Sequence, residues 1–185
     1  GPVVSALPEN MRSAEAEVPD RPRARSARQT ATNRDAHQIA KALARAERPL
    51  IIAGGSGWSV QAQRDLERFA QSWDIPVAVP FRRQDYMDNR HQCYAGDLNV
   101  GINPALATRL QGADCLLVLG ARLGDITTAG YTLLDPASHG KTLLHVHADP
   151  DEPGHIYAPD IAVAAASPSM LAQLVSLTPP ARPDW

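Results

Sequence analysis

The run Arg48-Pro49-Leu50-Ile51-Ile52-Ala53-Gly54-Gly55-Ser56-Gly57-Trp58 constrains this chain more than any other stretch. A short apolar segment rich in Ile and Leu, halted by glycines and followed by helical spacing, is how a buried parallel strand passes to a helix through a tight turn. Glycines in such a turn let the backbone adopt positive φ and come close to a ligand or a neighbouring strand. The N-terminus of the following helix turns free N–H groups and the positive end of its dipole toward the same crevice. The turn therefore suits an anion, and it equally suits a chain that needs only the sharp bend.

A dinucleotide fingerprint would separate these uses. Read from Gly55, the frame is Gly55-Ser56-Gly57-Trp58-Ser59-Val60, with Val60 where a third glycine should let helix pack on strand. About 20 residues on, where an acid should hold the ribose, the chain reads Ile75-Pro76-Val77-Ala78-Val79-Pro80. A nicotinamide cofactor is not expected.

Along the chain, Gly1 to Pro8 resembles the last strand of something preceding it, without an initiating methionine, as in an excised fragment. Residues 9–31, rich in Pro, Arg, Ala and Glu, read as a linker over a surface. Arg21, Arg23, Arg25 and Arg28 fit a solvated tether better than a basic patch. From Thr32 or Asn33, both good N-caps, helical spacing runs through Ile39 and Leu43 until Pro49. After the glycine turn, Ala62, Leu66, Phe69 and Ala70 share one helical face.

Further strands are expected over 75–79, 114–120, 141–147 and 161–165, with an edge strand at His91–Gly96. A helix opens at Asn103-Pro104 and another closes the unit over 168–177. The irregular stretch from Phe81 to Asn103 is long for a connection in an α/β unit, and such loops bear function or interfaces. Alternating strand and helix at these lengths predicts an α/β fold. It is a Rossmann-like three-layer sandwich whose mostly parallel sheet of about six strands carries helices on both faces. Right-handed crossovers set the first strand beside the Cys115 strand where strand order reverses, so Gly54, Gly55 and Gly120-Ala121-Arg122 flank one crevice.

With 185 residues, 44% of them hydrophobic, the chain suits one well-cored domain. A formal net charge of −2 gives no basic field for nucleic acid or an anionic membrane. No apolar run approaches the ~20 residues of a membrane span, and no signal-peptide pattern opens the chain. Cys93 and Cys115, far apart, suit a reduced, cytoplasmic protein.

Candidate chemistry is sparse. Asp149-Pro150-Asp151-Glu152 could hold a metal or a ribose, but acids around a proline more simply open a helix. His145 and His147 share one side of a strand without a visible third zinc ligand. No Gly-x-Ser-x-Gly elbow is present, and no Cys–His frame is recognisable. The residues point to no catalytic group and no metal site.

Five phrases occur in order: Gly1-Pro2-Val3-Val4 to Asn10, Arg48 to Gly55, Tyr94-Ala95-Gly96-Asp97-Leu98, Leu119-Gly120-Ala121-Arg122-Leu123-Gly124-Asp125, and His145 to Gly154. Together they resemble the central domain of thiamine-diphosphate-dependent enzymes of the acetolactate synthase, benzoylformate decarboxylase and oxalyl-CoA decarboxylase group. The resemblance runs from about Ala36 to Leu174. It implies that residues 1–31 are the end of a preceding domain and a linker, 32–177 the central domain, and 178–185 the start of a linker onward.

The resemblance also implies a parent that acts on 2-oxo acids. Its thiamine diphosphate and Mg²⁺ would lie between a pyrimidine-binding and a pyrophosphate-binding domain outside this chain, in a homo-oligomer, dimer or tetramer. A nucleotide crevice for FAD or ADP is implied at Gly54, Gly55, Gly120 and Arg122. Two departures count against FAD: Ile126 stands where a second arginine is expected, and His147 where an acid commonly holds the adenosine part. The competing expectation is a stand-alone adenine-nucleotide module.

Overall fold

The structure, a computed structural model, describes residues 3–22, 27 and 29–180. Arg23, Arg25 and Arg28 of the expected tether, and residues 181–185 of the expected outgoing linker, lie outside the described residues. Six strands form one all-parallel sheet in the order β3-β2-β1-β4-β5-β6. They are β1 (Pro49–Ala53), β2 (Val77–Pro80), β3 (Tyr94–Leu98), β4 (Cys115–Leu119), β5 (Thr142–His147) and β6 (Ile161–Ala164). Strand order reverses between β1 and β4, as the right-handed crossovers require.

Alternation along the central strands divides the core in two. Ile51, Ala53, Leu117, Leu119, Leu144 and Val146 face α2 (Asn33–Leu43), α3 (Val60–Trp73) and α5 (Ser167–Leu174). Leu50, Ile52, Leu116, Val118 and Leu143 face the other way, onto α4 (Pro104–Gly112) and onto Leu123, Leu134 and Tyr157 of the loops after β4 and β5. The second face is thus covered by one helix and ordered loop rather than by helices throughout.

Element ends differ from expectation where a distant group intervenes. Thr32 caps α2 in a reciprocal capping box with Asp35, but the helix stops at Leu43 instead of running to Pro49. Glu47 and Arg48 donate their backbone N–H groups to the Asp114 carboxylate at 2.7 and 2.9 Å, which turns the chain into β1. Helix α3 extends to Trp73 and ends on Asp74 in the left-handed region, φ 48°. The edge strand begins at Tyr94 rather than His91, with a register shift opposite Val77/Ala78 and Gly96 at φ 118°. Residues 3–8 form no strand, and a short helix α1 (Glu9–Ser13) precedes extended chain.

The N-terminal segment meets the sheet unit at Gln29–Ala31. The Gln29 carbonyl accepts from Ala166 N–H at 3.0 Å, Ala31 N–H donates to Ser169 Oγ at 2.9 Å, and Ala31 is buried. Among the described residues, no helix is long and apolar enough to cross a membrane.

Candidate functional site

Gly54, Gly55 and Gly120 do come together. Gly54 N–H donates to the Leu119 carbonyl at 2.9 Å, and Gly120 N–H donates to the Val146 carbonyl at 2.8 Å, so the ends of β1, β4 and β5 are stitched edge to edge. Gly55 and Gly120 have φ of 80° and 73°, a region in which side chains are strained. A Cβ on Gly55 would lie 2.0 Å from the Gly120 carbonyl oxygen, and one on Gly120 would lie 2.7 Å from the Gly54 carbonyl oxygen. Gly54 is pressed likewise against Pro80 and Ala121. Gly55 and Gly120 thus let backbone pass backbone, and Gly54 admits the side chains of Pro80 and Ala121.

The open side of the turn is occupied by the protein's own groups. Trp58 Nε1 donates to the Gly54 carbonyl at 2.7 Å. Arg83 Nε and Tyr86 OH both donate to the Gly55 carbonyl, at 2.6 and 2.8 Å. The Trp58 and Tyr86 rings stack with centroids 4.6 Å apart, and the Arg83 guanidinium lies over Tyr86 at 5.5 Å. Burial pushes the Tyr86 hydroxyl up from its ordinary value, with nearby Arg83 opposing and Asp85 adding, which keeps it a donor. Arg83 and Tyr86 carry no signal in the local pattern, since they lie in the irregular stretch after β2. Trp58, directly behind the turn, was the one visible cue.

Helix α3 starts five residues beyond Gly55, and its first turn is served by Ser59, whose hydroxyl accepts from Ala62 N–H at 3.2 Å. The helix terminus is therefore set back from the glycine pair.

Arg122 points away from the glycines to Glu152, with Nε to carboxylate oxygen at 3.0 Å. It shares with Gly124, Asp149, Asp151, Glu152, His155 and Ile156 a cavity of about 420 Å³. None of the turn glycines lines that cavity. Asp149 accepts from Asp151 N–H at 3.1 Å in a hydrogen-bonded turn, where the sequence suggested the opening of a helix.

His145 and His147 face each other at 6.2 Å between ring centroids. His145 is buried, and its Nε2 donates to the Ala121 carbonyl at 2.9 Å. Burial lowers its pKa; that hydrogen bond opposes the shift, His147 adds to it and Glu152 opposes it. His147 Nδ1 is taken by Asp149 N–H at 3.0 Å. Among the described residues, no group of three or more His, Cys, Asp or Glu is arranged to hold a metal ion.

This geometry stands beside the following likenesses. Residues 36–174 match the family described as thiamine pyrophosphate enzyme, central domain. The chain is 25% identical to an acetolactate synthase large subunit of Corynebacterium glutamicum over 183 residues, covering 96% of this chain and 29% of that protein. It is 27% identical to a glyoxylate carboligase of Escherichia coli O157:H7, over all of this chain and 32% of that protein. It is 28% identical to the acetolactate synthase isozyme 1 large subunit of Escherichia coli K12, over 96% of this chain and 31% of that protein. The chain thus spans less than a third of the length of each of these curated relatives. Since the match covers the sheet unit from α2 through α5, the chain belongs to the thiamine pyrophosphate enzyme central-domain family.

Proposed function

We propose that this chain is the spacing and assembly unit of a thiamine-diphosphate-dependent enzyme acting on 2-oxo acids, an acetolactate synthase-like carboligase or decarboxylase. Thiamine diphosphate supplies the chemistry beside the 2-oxo carbonyl. It is held with Mg²⁺ by pyrimidine-binding and pyrophosphate-binding domains outside this chain, in a cytoplasmic homo-oligomer. The names of the relatives support the substrate class, because acetolactate synthases and a glyoxylate carboligase recur among them. A stand-alone FAD or ADP module is disfavoured by the family match over 36–174.

One observation carries the structural role: the glycine seam is filled from within. The two turn carbonyls already accept from Trp58, Arg83 and Tyr86, and Arg122 is paired with Glu152. The cavity beside Arg122 adds the carboxylates of Asp149 and Asp151, which oppose a pyrophosphate. In this reading Gly54, Gly55 and Gly120 serve the sheet, Arg122 serves the loop after β5, and FAD is not held at the seam.

The full-length parent, purified and assayed with pyruvate or glyoxylate, is expected to consume the 2-oxo acid only when thiamine diphosphate and Mg²⁺ are supplied. Its absorbance spectrum is expected to lack flavin bands. Turnover without thiamine diphosphate overturns the functional reading, and one flavin per subunit overturns the structural one.

A further inference from the structure

Large apolar side chains left exposed are not scattered over this domain. Among the described residues from Ala31 onward, they are Val60, Phe81, Val100, Ile126, Tyr131 and Ile156. Each lies on the connection that follows a strand: Val60 after β1, Phe81 after β2, Val100 after β3, Ile126 and Tyr131 after β4, and Ile156 after β5. In a parallel sheet those connections all leave at the same edge; Phe81 and Val100 lie within two residues of a strand end, Val60 opens α3, and Ile156 shares a cavity with Arg122, Gly124 and Asp149 beside the ends of β4 and β5. The carboxyl edge therefore carries an apolar rim from β3 across to β5, with Val100 82% exposed. An apolar set confined to one rim marks an interaction surface, whereas single apolar residues spread over a surface do not.

The chain itself indicates what covers it. Gln29–Ala31 joins the domain against Ala166 and Ser169, immediately past the carboxyl end of β6, so the N-terminal segment arrives at the rim's own edge. Ahead of its polar tether, that segment opens with the exposed apolar residues Val3, Val4 and Leu7. The chain leaves elsewhere: α5 ends at Leu174, and Ser176, Leu177, Thr178 and Pro180 line a cavity with Ala44 and Trp73, beyond the C-terminal end of α2 and at that of α3, and with His37, Ala40 and Lys41 along α2. The family is a central domain, and its curated relatives extend to about three times this length, so polypeptide is expected on both sides.

We propose that the rim formed by the connections after β1 to β5 is the docking surface for the part of the parent polypeptide that precedes residue 1. The chain that continues beyond α5 leaves the domain at the opposite edge. The inference rests on the family reading above and adds to it which face receives which neighbour.

The test uses the full-length parent carrying a photoreactive benzoyl-phenylalanine at Val100 or at Ile126, with Arg45, on the opposite edge, as control. After irradiation, peptides cross-linked to both rim positions are expected to come from the sequence preceding Gly1 of the same chain, and those from Arg45 are not. Three outcomes overturn the proposal: rim cross-links to sequence following Trp185, rim cross-links to the same rim of an isotopically labelled second copy, or no rim cross-link in enzyme that retains turnover. Thiamine-diphosphate-dependent turnover is measured on the same preparations, so failure of the family reading appears as lost cofactor dependence, separately from the cross-link map.

Discussion

A methyl on Gly55 meets the Gly120 backbone, and one on Gly120 meets the Gly54 carbonyl as well as Ser167 Oγ, so side-chain rearrangement alone relieves neither. Gly57 also has positive φ, 78°, but open space surrounds it. Gly55→Ala and Gly120→Ala are therefore expected to destabilise by about 3 kcal/mol or more, clash adding to backbone strain. Gly57→Ala should cost about 1 kcal/mol, the left-handed penalty alone. Urea midpoints of the three variants check this ordering. His145 gives a second expectation at this scale. Its burial lowers the folded-state pKa below the ordinary ~6.5, so on acidification the unfolded chain takes up the proton first. Stability contributed by the neutral ring is complete above that ordinary value and is lost as pH falls through it toward the folded value. The melting temperature should drop between about pH 7.5 and about pH 5.5, and His145→Gln should flatten that drop.

At the scale of elements, the joint between α4, β1 and β5 is a polar knot. The Asp114 carboxylate accepts from Glu47 and Arg48 N–H, while its own backbone pairs with the Arg48 carbonyl at 3.1 Å and Thr142 N–H at 2.9 Å. Arg48 Nε donates to the Gly112 carbonyl at 2.7 Å, and Lys141 Nζ donates to those of Gln111 and Ala113 at 2.6 and 2.7 Å. Carbonyls at the end of α4 that lack intrahelical partners are thus met by positive charges, where the helix dipole favours them. Burial lowers the Lys141 pKa, Arg48 adding and Asp114 opposing. Asp114→Ala should cost about 1–2 kcal/mol, and Asp114→Asn, which keeps one acceptor oxygen, about half as much. Denaturant titration measures both. The same knot explains a boundary that local spacing misplaces. Helical periodicity continues past Leu43, but the acceptor that ends the helix and starts β1 lies 66 residues from Arg48.

For the whole molecule, the parallel sheet and the pairing of β1 with β4 were legible because alternation of apolar runs with helical segments leaves few right-handed parallel arrangements. The meeting of Gly54 and Gly55 with Gly120 followed from that pairing. What fills the seam was not legible. Arg83 and Tyr86 reach the Gly55 carbonyl from 28 and 31 residues away, out of a stretch without periodicity, and Arg122 is diverted by Glu152 from the loop after β5. The ordered loop that covers the second face was hidden for a related reason: Leu123, Leu134 and Tyr157 are buried singly, without a repeat that spacing can reveal. The parallel sheet has a last consequence for how a longer polypeptide is threaded. Because the backbone enters α2 beside the carboxyl ends of the strands and leaves α5 near their amino ends, its points of entry and exit stand a full strand height apart, roughly 17 Å for five residues.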